Sequence, residues 1–196
     1  MRDSLWLEYF IQYLEKEWVG LPDKCSGGKW TDHMLKIIDF IGKKLYWYPV
    51  HIRSKKKSGE YSHEYFKIDV FYIHEREYEF FDEDPEDYDP FVLPEGVVEL
   101  ENKYEIAKIK QCLWKLLCIR SPLRILICYQ KNKEEVIKLK QDLEDMIIKN
   151  ELMKGDNGTL LVVIGDESKG NSKNWREYFK IFELKRNLEL EEVKEK

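Results

Sequence analysis

The chain lacks several features, and each absence narrows its class. No run of about 18 apolar residues occurs, so no membrane-spanning helix is expected. The opening segment MRDSLWLEYF has acids within its first apolar stretch and no small-residue cleavage site, so it reads as the start of a helix rather than a signal peptide. Cysteine is scarce. Cys25, Cys112, Cys118 and Cys128 form no CxxC pair, and three of them sit in apolar surroundings, which predicts reduced thiols in a cytoplasmic protein. Neither sign of charge dominates: 33 basic and 38 acidic residues leave a formal net charge of -5. Net charge therefore neither indicates nor excludes a nucleic-acid partner, and local patches must decide.

Familiar chemical signatures are also missing. GGK at 27–29 is not a phosphate loop, because Asp23 stands where the first glycine belongs and Trp30 replaces Ser or Thr. No G-x-S-x-G or Cys/His nucleophile pattern is present. His33, His51, His63 and His74 share no metal-ligand spacing with the cysteines, which argues against zinc. The acidic run Asp82 to Asp89 lacks the glycine and terminal glutamate of a calcium loop and reads as an excursion between strands.

What is there suffices for a core: 196 residues, 43% of them hydrophobic. One α/β domain is expected over 1–196, its core at about 30–165, with an N-terminal helix over 1–20 and a charged, frayed tail over 186–196. Apolar stripes predict helices over 3–18 and from about Thr31 to Gly42, then over 104–118 and 132–150. Strands are predicted at Tyr46–Arg53, where Pro49 suits an edge, at 65–74, at Pro94–Lys103, and at the apolar runs Leu123–Tyr129 and Thr159–Ile164. Trp175 to Leu184 reads as a strand, or as a short helix followed by one. This order gives a mixed β-sheet flanked by helices, with an antiparallel meander on one side and parallel βαβ units on the other.

The chemistry centres on PEGVVELENK, residues 94–103. In a strand, alternation puts Glu99, Glu101 and Lys103 on one face. Asp69 lies within the preceding strand, KIDVF, where an ionised acid among aromatics needs a partner or a cation. If the two strands pair, Asp69 approaches the glutamates. Converging carboxylates make a hard-cation site suited to Mg²⁺ or Mn²⁺. The plain alternative for Glu99, Glu101 and Lys103 is a solvated face with cross-strand ion pairs.

The combination of a strand acid (Asp69), a following strand with E-x-K, a helix and the apolar strand LRILICY resembles the PD-(D/E)xK, or restriction-endonuclease-like, nuclease superfamily. The resemblance covers roughly residues 30–165. It implies a restriction-endonuclease-like core with an extra N-terminal helix, and Mg²⁺- or Mn²⁺-dependent hydrolysis of phosphodiester bonds. Asp69 with Glu99 or Glu101 would hold the metal, and a lysine would assist the water. Two registers stay open. Glu101-Asn102-Lys103 is the strict match. Glu99-Leu100-Glu101 follows the apolar run more directly and leaves Lys103, or Lys115 of the next helix, to supply the positive charge. Departures from the family pattern are Ile68, where a proline is usual, and the absence of a compelling acid on the preceding helix, where only Asp32 and Asp39 offer themselves. The family also includes inactive members, so a nucleic-acid or protein interaction module is the rival reading. A weaker third reading is a small-ligand α/β binding protein with no metal.

The implied partner is nucleic acid, DNA before RNA, with no membrane partner. A homodimer is left open, since relatives dimerise but no interface stripe is visible. RSKKKS, residues 53–58, offers four cations to a phosphate backbone, or is simply a solvated hairpin tip. Lys108, Lys110 and Lys115 offer a second basic surface, or a solvated helix face. The many aromatics mostly fall at core periodicity rather than as a platform for bases.

Overall fold

The computed structural model describes residues 2–18, 27–51, 68–74, 93–151 and 157–193. The acidic run 82–89, the basic segment 53–58, Cys25 and the strand expected over residues 65–67 lie outside the described residues.

Helices α1 (Arg2–Glu17) and α2 (Gly27–Lys44) come first. Strands β1 (Trp47–His51), β2 (Val70–His74) and β3 (Gly96–Glu101) follow, then α3 (Ile106–Cys118), β4 (Leu123–Gln130), α4 (Lys133–Asn150) and β5 (Thr159–Asp166). A one-turn helix α5 (Trp175–Tyr178) leads into β6 (Phe179–Leu184), and β7 (Leu190–Glu192) closes the series. The seven strands form one sheet in sequence order. β1–β2 and β2–β3 are antiparallel, β3–β4 and β4–β5 parallel, and β5–β6 and β6–β7 antiparallel. The expected mixed sheet flanked by helices is what the chain forms.

Period-2 alternation assigns the two faces. Val70, Tyr72, Val98, Ile125, Ile127 and Val163 pack under α1 and α2, against Trp6, Phe10, Met34, Ile37 and Ile41. Phe71, Val97, Leu126, Val162 and Ile164 pack under α3 and α4, against Ile109, Leu113, Leu116, Leu139, Leu143 and Ile147. The central strands β4 and β5 are covered on both sides, which is why they read as unbroken apolar runs. Within β4, Arg124 is buried because its guanidinium donates to the carbonyls of Leu116 and Ile119 at 2.8–3.0 Å, closing the end of α3.

The C-terminal segment departs from expectation. Leu190–Glu192 is a strand, not a frayed tail: Leu190 is buried and its N–H donates to Glu144 Oε1 at 2.7 Å. Charge density hid one apolar anchor and one buried acceptor on α4. Expected strand Pro94–Lys103 is also shorter than its alternation suggested, running only from Gly96 to Glu101.

Candidate active site at the end of β3

β3 ends at Glu101, and the chain bends at Lys103 before α3 begins. Glu101 Oε1 accepts from the backbone N–H of Lys103 at 2.8 Å, so the glutamate closes the turn that follows its own strand. Lys103 is exposed beyond the strand, which removes it from the alternating row expected for Glu99, Glu101 and Lys103. The correction is local: the row needs an extended backbone, and the bend ends it.

Asp69 occupies a bend immediately before β2 rather than the middle of a strand. The β2–β3 ladder ends at the pair Val70–Val98. Beyond it, Asp69 Oδ2 accepts from the backbone N–H of Leu100 at 2.8 Å. A side-chain carboxylate thus takes the place that a strand carbonyl would fill, and it does so beside Glu99. The antiparallel pairing of β2 and β3 is what brings these two acids, distant in sequence, together.

Glu99 lies on the face covered by α3 and is only 1% exposed. Lys115, in the last turn of α3, puts Nζ 2.6 Å from Oε1 and 2.7 Å from Oε2. Ile109, Leu113 and Leu116 anchor α3 on the sheet and bring Lys115 to that carboxylate. Burial pushes the Glu99 carboxyl from 4.5 up to about 7, against the pull of Lys115; the charge of Asp69 pushes the same way. The thiol of Cys112, one turn before Lys115 on α3, lies beside Glu99, and burial raises that thiol well above its usual range. Cys112, Cys118 and Cys128 are all free thiols, with Cys112 and Cys128 buried.

Sequence reasoning missed the neighbours at the carboxyl ends of the parallel strands. Gln130 and Asp166, register partners on β4 and β5, are both buried, and Glu101 is register partner to Cys128. Asp166 Oδ1 accepts from the backbone N–H and hydroxyl of Ser168 at 3.0 and 2.6 Å. Asn102 hydrogen-bonds Thr31 of α2, tying the bend after β3 to the opposite helix layer. The available signal was a polar residue ending each apolar run.

The five residues singled out by sequence divide clearly. Asp69, Glu99 and Lys115 are brought together. Glu101 sits nearby with its carboxylate turned onto the Lys103 N–H, and the Lys103 side chain stands outside the group. Among the described residues, no cluster of three or more His, Cys, Asp or Glu is disposed to hold a metal ion. The donor chemistry nevertheless suits Mg²⁺ or Mn²⁺ at two positions, since magnesium is commonly held by one or two carboxylates with water and phosphate completing the shell. Asp69 and Glu99 are that pair in type, with the Lys115 ammonium lying on Glu99.

Comparison with family models, with curated proteins and with solved structures finds no match to this chain. Among the described residues, no helix is long and apolar enough to cross a membrane.

Proposed function

We propose that this chain is a divalent-metal-dependent nuclease with a restriction-endonuclease-like core, hydrolysing phosphodiester bonds in DNA. One observation carries the reading: Lys115 contacts both carboxylate oxygens of Glu99, beside Asp69, where β2 and β3 separate. The supporting topology is a three-strand antiparallel meander joined through α3 to a parallel β4. Asp69 and Glu99 would hold Mg²⁺ or Mn²⁺, and when bound that ion supplies a polarised phosphoryl oxygen and an acidified water.

The chain's own residues then have distinct tasks. Glu99 holds Lys115 at the end of α3 with its ammonium inside the site. A phosphate oxygen entering there competes with Glu99 for that ammonium, and Lys115 then stabilises charge growing on the phosphoryl group. Asp69 is fixed by the Leu100 N–H, so one oxygen is oriented before any ligand arrives. Glu101 keeps the bend after β3 closed. This arrangement favours Lys115 over Lys103 as the assisting cation.

A second reading has its own support. The Lys115 ammonium already neutralises Glu99, and Glu101 is turned onto its own loop. Such an ion pair also serves a non-catalytic interaction module that kept the fold.

Calorimetric titration with Mn²⁺, together with a cleavage assay on labelled DNA, separates the two. The nuclease reading expects Mn²⁺ binding that Asp69→Asn removes, and cleavage that Lys115→Ala lowers at least about a hundredfold. Lys103→Ala should leave cleavage unchanged. Wild-type protein that neither binds Mn²⁺ nor cleaves DNA or RNA overturns the nuclease reading and favours the non-catalytic ones.

A further inference from the structure

The corner between α2 and β1 holds an aromatic ring in a place that folding does not favour. Leu45 N–H donates to Ile41 at 3.1 Å and Tyr46 N–H to Lys43 at 3.3 Å, ending the helix. Tyr46 then has φ of 57°, in the left-handed region where glycine or asparagine is normal because an L side chain crowds its own backbone. Tyr46 is also 68% exposed, and no hydrogen bond or ring stacking ties its side chain to the described residues. It therefore carries backbone strain with little burial in return, a combination that points to a task outside the chain.

Its neighbours say what that task is. Lys43 and Lys44, both exposed, occupy the last turn of α2. Lys44 Nζ lies 5.5 Å from the centroid of Phe40, itself 39% exposed. The partial negative charge at a helix C-terminus would account for the lysines. It does not account for the tyrosine. Among the described residues, Asp39 is half-buried on the Tyr72 side of α2, and Glu17 lies near Tyr13 and 3.7 Å from Lys16.

We infer that this corner, Tyr46 with Lys43, Lys44 and Phe40, binds single-stranded nucleic acid, the ring stacking on an unpaired base and the lysines meeting phosphates. Cations interleaved with an exposed ring match a polymer that alternates anions with flat apolar faces. The inference specifies the strand form of the polymer in the nuclease reading but uses other residues. Tyr46 lies past the Trp47–His74 end of the β1–β2 pair, and Asp69 past the His51–Val70 end.

The test is fluorescence anisotropy of a labelled oligo(dT) strand against the full chain in EDTA, with melting temperatures measured in parallel. Wild type should bind with affinity that falls as salt rises. Tyr46→Gly should weaken binding by about tenfold, within the range of base–aromatic stacking, and melt at or above the wild-type temperature. Tyr46→Asn, which also tolerates the left-handed backbone, should behave likewise. An abasic strand should bind as weakly to wild type as oligo(dT) does to the variants. Absent wild-type binding, undiminished binding by both variants, equal affinity for the abasic strand, preference for duplex, or a lowered melting temperature in both variants would each overturn the inference. Tyr46→Gly should bind Mn²⁺ like wild type, so loss of metal binding and loss of strand binding are separable failures.

Discussion

Lys115 reaches from the last turn of α3 to grip both oxygens of Glu99 on β3, at 2.6 and 2.7 Å. The glutamate is almost fully enclosed, whereas the lysine side chain keeps 23% of its exposure. The pair is thus buried at the acid and open at the cation, which makes the two partners unequal when either is removed.

Lys115→Met leaves the Glu99 carboxylate enclosed without its cation. Breaking a buried pair in this way destabilises a fold by about 3 kcal/mol. The loss should be largest near pH 8, and smaller at pH 5.5, where Glu99 takes up a proton instead. Urea denaturation of wild type and variant at the two pH values measures both quantities.

Glu99 also sets a pH slope in the metal-free protein. Its carboxyl is raised from 4.5 to about 7 on folding. Between those values the folded chain binds more protons than the unfolded one, so stability falls as pH rises. The contribution is fully present below about pH 4.5 and lost once pH passes about 7. Glu99→Gln removes that slope. An identical pH dependence of denaturation midpoints in Glu99→Gln and wild type over this window would show that Glu99 titrates normally.

Asp69 separates folding from ligand chemistry. Asp69→Asn keeps an oxygen that can accept from the Leu100 N–H, so its stability should stay within about 0.5 kcal/mol of wild type. Asp69→Ala leaves that N–H without its acceptor and should lose about 1–2 kcal/mol. Chemical denaturation gives the ordering, and Mn²⁺ calorimetry on the Asn variant then reports on the carboxylate charge alone.

Truncation after Asn187 removes β7. It takes away the buried Leu190 and the N–H that satisfies Glu144. Burial of one leucine side chain alone is worth about 2 kcal/mol. The truncated chain should melt several degrees lower, as read by circular dichroism.

Local pattern made much of the architecture readable. The stripe Val136, Leu139, Leu143 and Ile147 specified α4, and Asn132 marked its start by accepting from the Glu135 N–H at 2.9 Å. The unbroken runs of β4 and β5 revealed strands covered twice, and the crossovers between them required a parallel pair. Pro49 marked an edge, and among the described residues β1 is one. Where the rules were local, residue types were enough: side-chain period, capping and apolar content are properties of a few neighbouring residues.

The composition of the site was decided in three dimensions. Alternation alone put Lys103 beside the glutamates, yet a bend after Glu101 turned the chain away. Lys115 lies 16 residues along from Glu99 and meets it only because α3 folds back over β3. Asp69 is oriented by an N–H that the end of the β2–β3 ladder left available, and Leu190 of β7, paired with β6, gives its N–H to Glu144 of α4. The sequence by itself determined which segments are helices and strands and which face of each is apolar, since those follow from backbone period and side-chain chemistry. Tertiary structure alone decided which charged groups meet, because ion pairs and borrowed hydrogen bonds depend on where elements end and how they cross.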